Sequence, residues 1–158
     1  MLSLAKELKS EGLRFKIVLV GDGVKRQEIE TKVNEEGLSD CFIFAGLRKN
    51  VNEFYQAFDL FVMPSIFEGI PFSIIEAETA GLPCVLSKGI PSDVDFSENV
   101  VHASINNVVE WKNALIKLMA KKVNRYDGES IIKENGFDIK KNCLKLEKIY
   151  ESLGIVES

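Results

Sequence analysis

The chain has 158 residues, about one domain's worth, with 46% apolar and 28% charged residues, the proportions of an ordinary globular protein. Three cysteines with no CxxC pair and a single histidine exclude a disulfide scaffold and a four-ligand zinc site of the usual spacing, and they suit a reducing compartment. The formal charge of −4 (20 basic, 24 acidic) carries none of the basic excess of a nucleic-acid binder, no apolar run approaches the roughly 18–20 residues of a membrane span, and the first 14 residues lack the apolar stretch of a secretory signal.

Leu2, Leu4, Ala5 and Leu8 make a helical stripe that Glu11-Gly12 stops. Residues 15–20 are a nearly continuous apolar run closed by Gly21-Asp22-Gly23, which suits a strand buried on both faces of a parallel sheet. Residues 24–36 predict an exposed amphipathic helix, with Ile29 and Val33 four apart and Gly37 just past its end. A strand over 41–45 ends at Gly46, a short helix covers 51–57, and a third strand over 60–63 is stopped by Pro64. A loop over 65–71 leads to a helix over 72–80, broken by Gly81-Leu82-Pro83. Strands follow at 84–86 and 100–102, then helices over about 107–121, 127–135 and 138–153. Strands alternating with helices predict one α/β domain over 1–158, a parallel sheet with helices on both faces. The pairs Lys121-Lys122 and Lys140-Lys141 read as solvated helix faces.

In such sheets ligands bind beyond the carboxyl ends of the strands, so the loops at 21–23, 46–50, 64–71 and 87–94 hold the candidates. Gly21 and Gly23 follow a strand, but Arg26 stands where a dinucleotide fingerprint needs a third small residue, and no Gly-Lys-Ser/Thr follows, so neither that fingerprint nor a P-loop is present. Two readings remain for these glycines: turn geometry alone, or close approach of the backbone to a ligand. Arg48, at a strand's carboxyl end, is placed to meet a phosphate. Lys49 and Lys88 read as surface cations. His102, between Val101 and Ala103, reads as structural, and Trp111, with Leu115 and Leu118, as core.

The loop at 64–71 is the most informative. Pro71 suits the first turn of a helix, where its missing N–H has no partner to lose. The amides of Phe72, Ser73 and Ile74 are then donors at a helix N-terminus, a place that favours anions. Gly69 lets an anion reach the backbone. Glu68 precedes the helix and Glu76 lies on its second turn, seven residues between them, so both can face one crevice. Carboxylates beside a phosphate site belong on hydroxyls flanking it. A ribose on one side of a diphosphate and a sugar on the other suit the pair.

These residues carry a resemblance. Phe44-Ala45-Gly46, Asp59-Leu60-Phe61-Val62-Met63-Pro64-Ser65, Glu68-Gly69-Ile70-Pro71, Glu76-Ala77 and Ala80-Gly81-Leu82-Pro83 resemble, in order and spacing, the retaining family-4 glycosyltransferases (glycosyl transferases group 1), including the two glutamates with seven residues between them. The run from Glu68 to Ser73 with Gly81-Leu82-Pro83-Cys84 looks most like bacterial enzymes that build capsule or exopolysaccharide. The resemblance implies the GT-B fold, two Rossmann-like domains with a cleft between them, of which this chain is the C-terminal, donor-binding one. It implies that Glu76 holds the ribose hydroxyls and that Glu68, the catalytic candidate, touches a donor-sugar hydroxyl. It places the backbone of Gly69, Ile70, Pro71 and Phe72 on the diphosphate, Leu47 and Arg48 near the base, and Gly21 at the donor site. The implied reaction moves a sugar from a nucleotide-diphosphate donor to a polysaccharide or lipid-linked acceptor. Configuration is retained, no metal or other cofactor is needed, and the work is cytoplasmic, at the inner membrane face in the full-length enzyme.

Two departures set further expectations. The family's usual diphosphate-binding Arg and Lys follow a strand that precedes the first helix of this domain, and here Met1 stands inside or just before that helix. The chain is therefore expected to lack that central strand, both cations and the N-terminal acceptor domain, and to be inactive by itself. The sheet is expected to re-pair across the gap, to borrow a strand, or to belong to a longer protein. The alternative is a non-catalytic nucleotide-sugar binding or assembly module of the same fold.

Overall fold

The computed structural model describes residues 1–69, 71–121, 125 and 128–154. Ile70, Lys122 and Asp127, each part of an expectation above, lie outside the described residues. The elements are α1 (Leu2–Ser10), β1 (Ile17–Val20), α2 (Arg26–Glu35), β2 (Phe42–Gly46), α3 (Val51–Ala57), β3 (Phe61–Met63), α4 (Phe72–Thr79), β4 (Cys84–Ser87), a 3-10 turn (Ser92–Val94), β5 (Val100–Ala103), α5 (Val108–Ala120), α6 (Gly128–Ile132) and α7 (Ile139–Ser152). The helix expected over 127–135 is shorter. α6 gives way to a wider turn over Lys133–Phe137, in which Gly136 has φ +93°, a left-handed value that ends the regular helix. Helix starts fall where polar caps allow: Asn107 accepts from the Glu110 amide at 3.2 Å ahead of α5, and Asp138 from the Lys140 amide at 3.0 Å ahead of α7.

All the strand pairs are parallel, as expected, but the sheet comes in two pieces. β1 pairs with β2, Ile17 opposite Phe42. β3 pairs with β4 and β4 with β5, Phe61 opposite Cys84 and Cys84 opposite Val100. Among the described residues no strand of one piece pairs with a strand of the other, so the expected re-pairing is not found.

The three-stranded piece is covered on both faces. Cys84 and Leu86 of β4 turn toward Tyr55 of α3 and Ile74 and Ala77 of α4, while Val85 turns toward Leu4 and Leu8 of α1 and Trp111, Ala114 and Leu118 of α5. Alternation of side chains along a strand thus serves two helix layers at once. The two-stranded piece has one covered face, where Phe42 and the half-buried Ile17, Leu19 and Phe44 pack with Ala5 of α1 and Val33 of α2. From its other face Ile43 stands 45% exposed. All of β4 is buried, whereas every residue of β1 and β3 is only half-buried. α1 spans the two pieces, with Leu4 and Leu8 in one cluster and Ala5 in the other.

The end of α4 is closed by long-range contacts. The Arg125 guanidinium donates to the carbonyls of Tyr55 (2.7 Å) and Phe58 (3.0 Å) at the end of α3 and to that of Ala80 (3.3 Å) after α4. A cation over the last carbonyls of a helix satisfies orphan acceptors and opposes the helix dipole. Gly81, at φ +69°, and Gly128 permit this approach. A Cβ on Gly81 would lie 2.5 Å from the Arg125 carbonyl oxygen, and one on Gly128 2.3 Å from that of Glu78. Gly128→Ala is therefore expected to destabilise the chain by about 1–3 kcal/mol through overpacking against backbone. Urea denaturation of the variant and the wild-type chain measures the difference.

Candidate functional site

The loop between β3 and α4 is supported from the end of β4. The Ser87 hydroxyl donates to the Ser65 carbonyl. Gly89 lies directly under the loop, where a Cβ would come within 1.9 Å of the Ile66 carbonyl oxygen. A glycine is required at that point for the loop to pass.

The loop ends at Pro71 and the helix begins at Phe72, as expected, with Pro71 at the cap and not inside the first turn. The proline has φ −76° and ψ 117°. Its carbonyl accepts the Ile74 amide at 3.0 Å, so of the three amides expected to be free, that of Ile74 is engaged. Those of Phe72 and Ser73 have no partner among the described residues, and no side chain caps the helix. Around Gly69 there is open space, with no atom within 4 Å of where a Cβ would stand. The start of α4 therefore offers two main-chain donors at the positive end of a helix.

Glu76, on the second turn of α4, is exposed, and its Oε2 accepts from the Tyr55 hydroxyl at 3.0 Å. Its other oxygen has no partner among the described residues. Glu68, in the loop before α4, is half-buried. Gly21 has φ +129°, which gives it a conformational reason to be glycine, and its amide donates to the Gly46 carbonyl at 2.9 Å. Arg26 lies beside Gly46 and is neutralised by Glu30 (2.7 Å) and Asp22 (3.7 Å). Arg48 is exposed, as is Leu47. Ile66, Phe67 and Phe72 are also exposed, each by more than 70%, so apolar side chains stand bare around the start of α4. The surface hollows lined by Val24, Gln27 and Thr31, and by Glu30, Phe42 and Phe44, run along α2 and include none of these residues.

Residues read as bystanders keep that character. Lys88 is paired with Glu110 at 3.0 Å. His102 is half-buried, with Nδ1 3.1 Å from the Ser87 carbonyl oxygen and Nε2 2.9 Å from Asp95 Oδ1, so it braces the ends of β4 and β5. Trp111 is core, its indole N–H donating to the Ser104 carbonyl at 2.9 Å. The supports that sequence reasoning passed over are Tyr55, Ser87, Gly89 and Arg125. Only Gly89 carried a local signal, as a glycine in a loop after a strand.

The family model described as Glycosyl transferases group 1 matches residues 1–121. A protein of Bacillus subtilis (strain 168) named as a glycosyltransferase, EpsF, is 33% identical over 153 residues, 95% of this chain and 40% of its own length. The Escherichia coli UDP-Gal:alpha-D-GlcNAc-diphosphoundecaprenol alpha-1,3-galactosyltransferase is 29% identical over 138 residues, 84% of this chain and 36% of its own. The solved structure of Anabaena HepE in complex with UDP matches with a TM-score of 0.74 at 20% identity, over 87% of this chain and 41% of that one. The chain spans well under half the length of these relatives.

One buried carboxyl group sits on α4 itself. Glu78, on the inward face of α4 and 3% exposed, accepts from the amides of Ser97 (2.9 Å) and Phe96 (3.4 Å). Burial holds its carboxyl above the ordinary glutamate range, more than these two donors lower it. A raised value favours the neutral form in the fold. The stability it contributes is complete below the ordinary glutamate value and lost as pH rises through the raised one. Relative to Glu78→Gln, the wild-type chain is expected to gain stability as the medium goes from about pH 8 to about pH 5, read from urea midpoints at the two pH values.

Proposed function

We propose, for a chain that belongs to the glycosyl transferases group 1 family and has the GT-B type of α/β fold, that it is the donor-binding half of a retaining enzyme. That enzyme transfers a sugar from a nucleotide-diphosphate sugar to a growing polysaccharide or lipid-linked acceptor on the cytoplasmic side of a membrane. The observation that carries this reading is the open start of α4. The Phe72 and Ser73 amides and the unobstructed Gly69 form an anion seat, and Glu76 follows with one carboxylate oxygen free.

In this reading the diphosphate lies against the main chain of Gly69, Ile70, Pro71 and Phe72. As the bond to the sugar breaks, negative charge grows on the leaving diphosphate, and donors already fixed at a helix end stabilise it without reorganising. Glu76 accepts hydrogen bonds from the ribose diol, and Glu68 from a hydroxyl of the donor sugar. Leu47, Arg48 and Gly21 line the base side of the donor. The relatives support the donor class: the Escherichia coli enzyme is named for UDP-Gal, and HepE was solved with UDP. The capsule and exopolysaccharide setting is supported by relatives named for amylovoran and Vi polysaccharide biosynthesis.

Among the described residues β1 and β3 are half-buried and each is paired along one edge only, and in this reading a further parallel strand of the whole enzyme fits between them. That strand brings the diphosphate-binding cations, and the acceptor domain comes with it. By itself the 158-residue chain is expected to show no saturable turnover of UDP-sugars or GDP-sugars in a donor-consumption assay, and co-expression of the preceding half is expected to restore transfer. Glu76→Ala is expected to weaken UDP or GDP binding about tenfold or more, since it removes charge-assisted hydrogen bonds to the ribose. Calorimetric titration of the two chains checks this, and equal affinities would remove Glu76 from the site.

A further inference from the structure

We infer that Tyr55 is a positioning residue for nucleotide recognition: its buried hydroxyl holds the Glu76 carboxylate so that one oxygen stays turned to the vicinal diol of a ribose. The inference rests on the reading of Glu76 as the ribose-binding group and deepens it.

Glu76 alone is poorly suited to the task. It is an exposed side chain with three rotatable bonds, and a freely turning carboxylate binds a diol only after losing that freedom. Tyr55 is its opposite. It is 6% exposed, and its ring packs against that of Phe61 with centroids 6.0 Å apart and planes at 59°. Its carbonyl is held by the Arg125 guanidinium at 2.7 Å. Both ends of the residue are thus fixed, and the hydroxyl is delivered to Glu76 Oε2 at 3.0 Å. A phenol has one proton to donate, so it engages one oxygen and leaves the other for ligand. Burial, and next the bond to Glu76, push the Tyr55 hydroxyl well above the ordinary phenol range, so it remains a donor throughout the working pH range.

The position of Tyr55 also connects two parts of the site. It lies on α3, which begins directly after the loop holding Leu47 and Arg48, while Glu76 lies on α4. The hydrogen bond fixes the distance between the base side and the ribose side of the donor, and Arg125 locks the same two helices at their far ends. A group held in this way by packing and by its own hydrogen bonds is what a preorganised site requires.

The test compares UDP and GDP with their 2′,3′-dideoxy forms, titrated by calorimetry into the 158-residue chain and its variants. The ratio of dissociation constants, dideoxy over ribo, measures diol recognition. The wild-type chain is expected to prefer the ribo form by about tenfold or more, and Glu76→Ala to lose that preference. Tyr55→Phe keeps the ring and removes one atom. It is expected to cut the preference about threefold to tenfold while binding the dideoxy form as the wild type does. The double variant is expected to match Glu76→Ala alone. If Tyr55→Phe keeps the full preference, or weakens ribo and dideoxy forms equally, while Glu76→Ala abolishes the preference, Tyr55 is only a core residue; the inference falls and the reading of Glu76 stands. A wild-type chain without preference, or without saturable binding of either diphosphate, overturns both.

Discussion

The structure depends on one strand being buried from both sides. β4 turns Cys84 and Leu86 to the layer of α3 and α4 and Val85 to the layer of α1 and α5, and it has β3 and β5 as hydrogen-bonded neighbours. A strand in that position has no freedom to tilt or slide, because a slip of one residue would exchange its two faces. Its carboxyl end is therefore a fixed point. Ser87 and Gly89, at and just beyond that end, hold the loop that leads into α4. The direction in which the α4 amides point, and hence the place of an anion, follows from the burial of four residues well below the surface.

Electrostatics completes what packing begins. Several cations are already committed: Arg26 of α2 to Glu30 and Asp22, Lys88 to Glu110 and, at the far end of α4, Arg125 to main-chain carbonyls. Exposed Arg48 stands apart from that pattern. On the proposed reading, main-chain dipoles carry the site's own share of anion binding. Bare Ile66, Phe67 and Phe72 also leave an apolar rim beside the start of α4.

Much of this was legible in the sequence, for a simple reason. Apolar runs at 15–20, 60–63 and 84–86 define parallel strands with little ambiguity, although only the last is buried throughout, the first two being half-buried beside a divided sheet, and glycines mark helix ends by their backbone needs. Glu68, Gly69, Pro71, Phe72 and Glu76 lie within nine residues, so their order alone puts them around one helix start. Pro71 suits both N1 and the cap, since both tolerate a missing N–H; only the backbone angles separate them. Tyr55 and Arg125 were illegible. Their roles depend on partners 21 and 70 residues away, and no local pattern distinguishes a tyrosine that serves a carboxylate from one that fills a core. The division of the sheet was seen only as a gap, because strand order is a property of the whole chain.

α1 spans that division. Its apolar residues enter the clusters of both sheet pieces, and so does the adjacent Phe15. Its charged residues do the same work at the surface. Glu7 and Glu11 share Lys112 of α5 at 2.9 and 2.5 Å, while Lys9 reaches Asp40 and the Gly37 carbonyl beyond α2 at 2.6 and 2.8 Å. With no ladder of hydrogen bonds between the two pieces among the described residues, nine residues of helix carry much of the coupling between them. Cooperativity of unfolding therefore resides in α1: with it docked, the two sheets melt as one unit, and with it detached they become two small foldons of unequal strength, the two-stranded one the first to open.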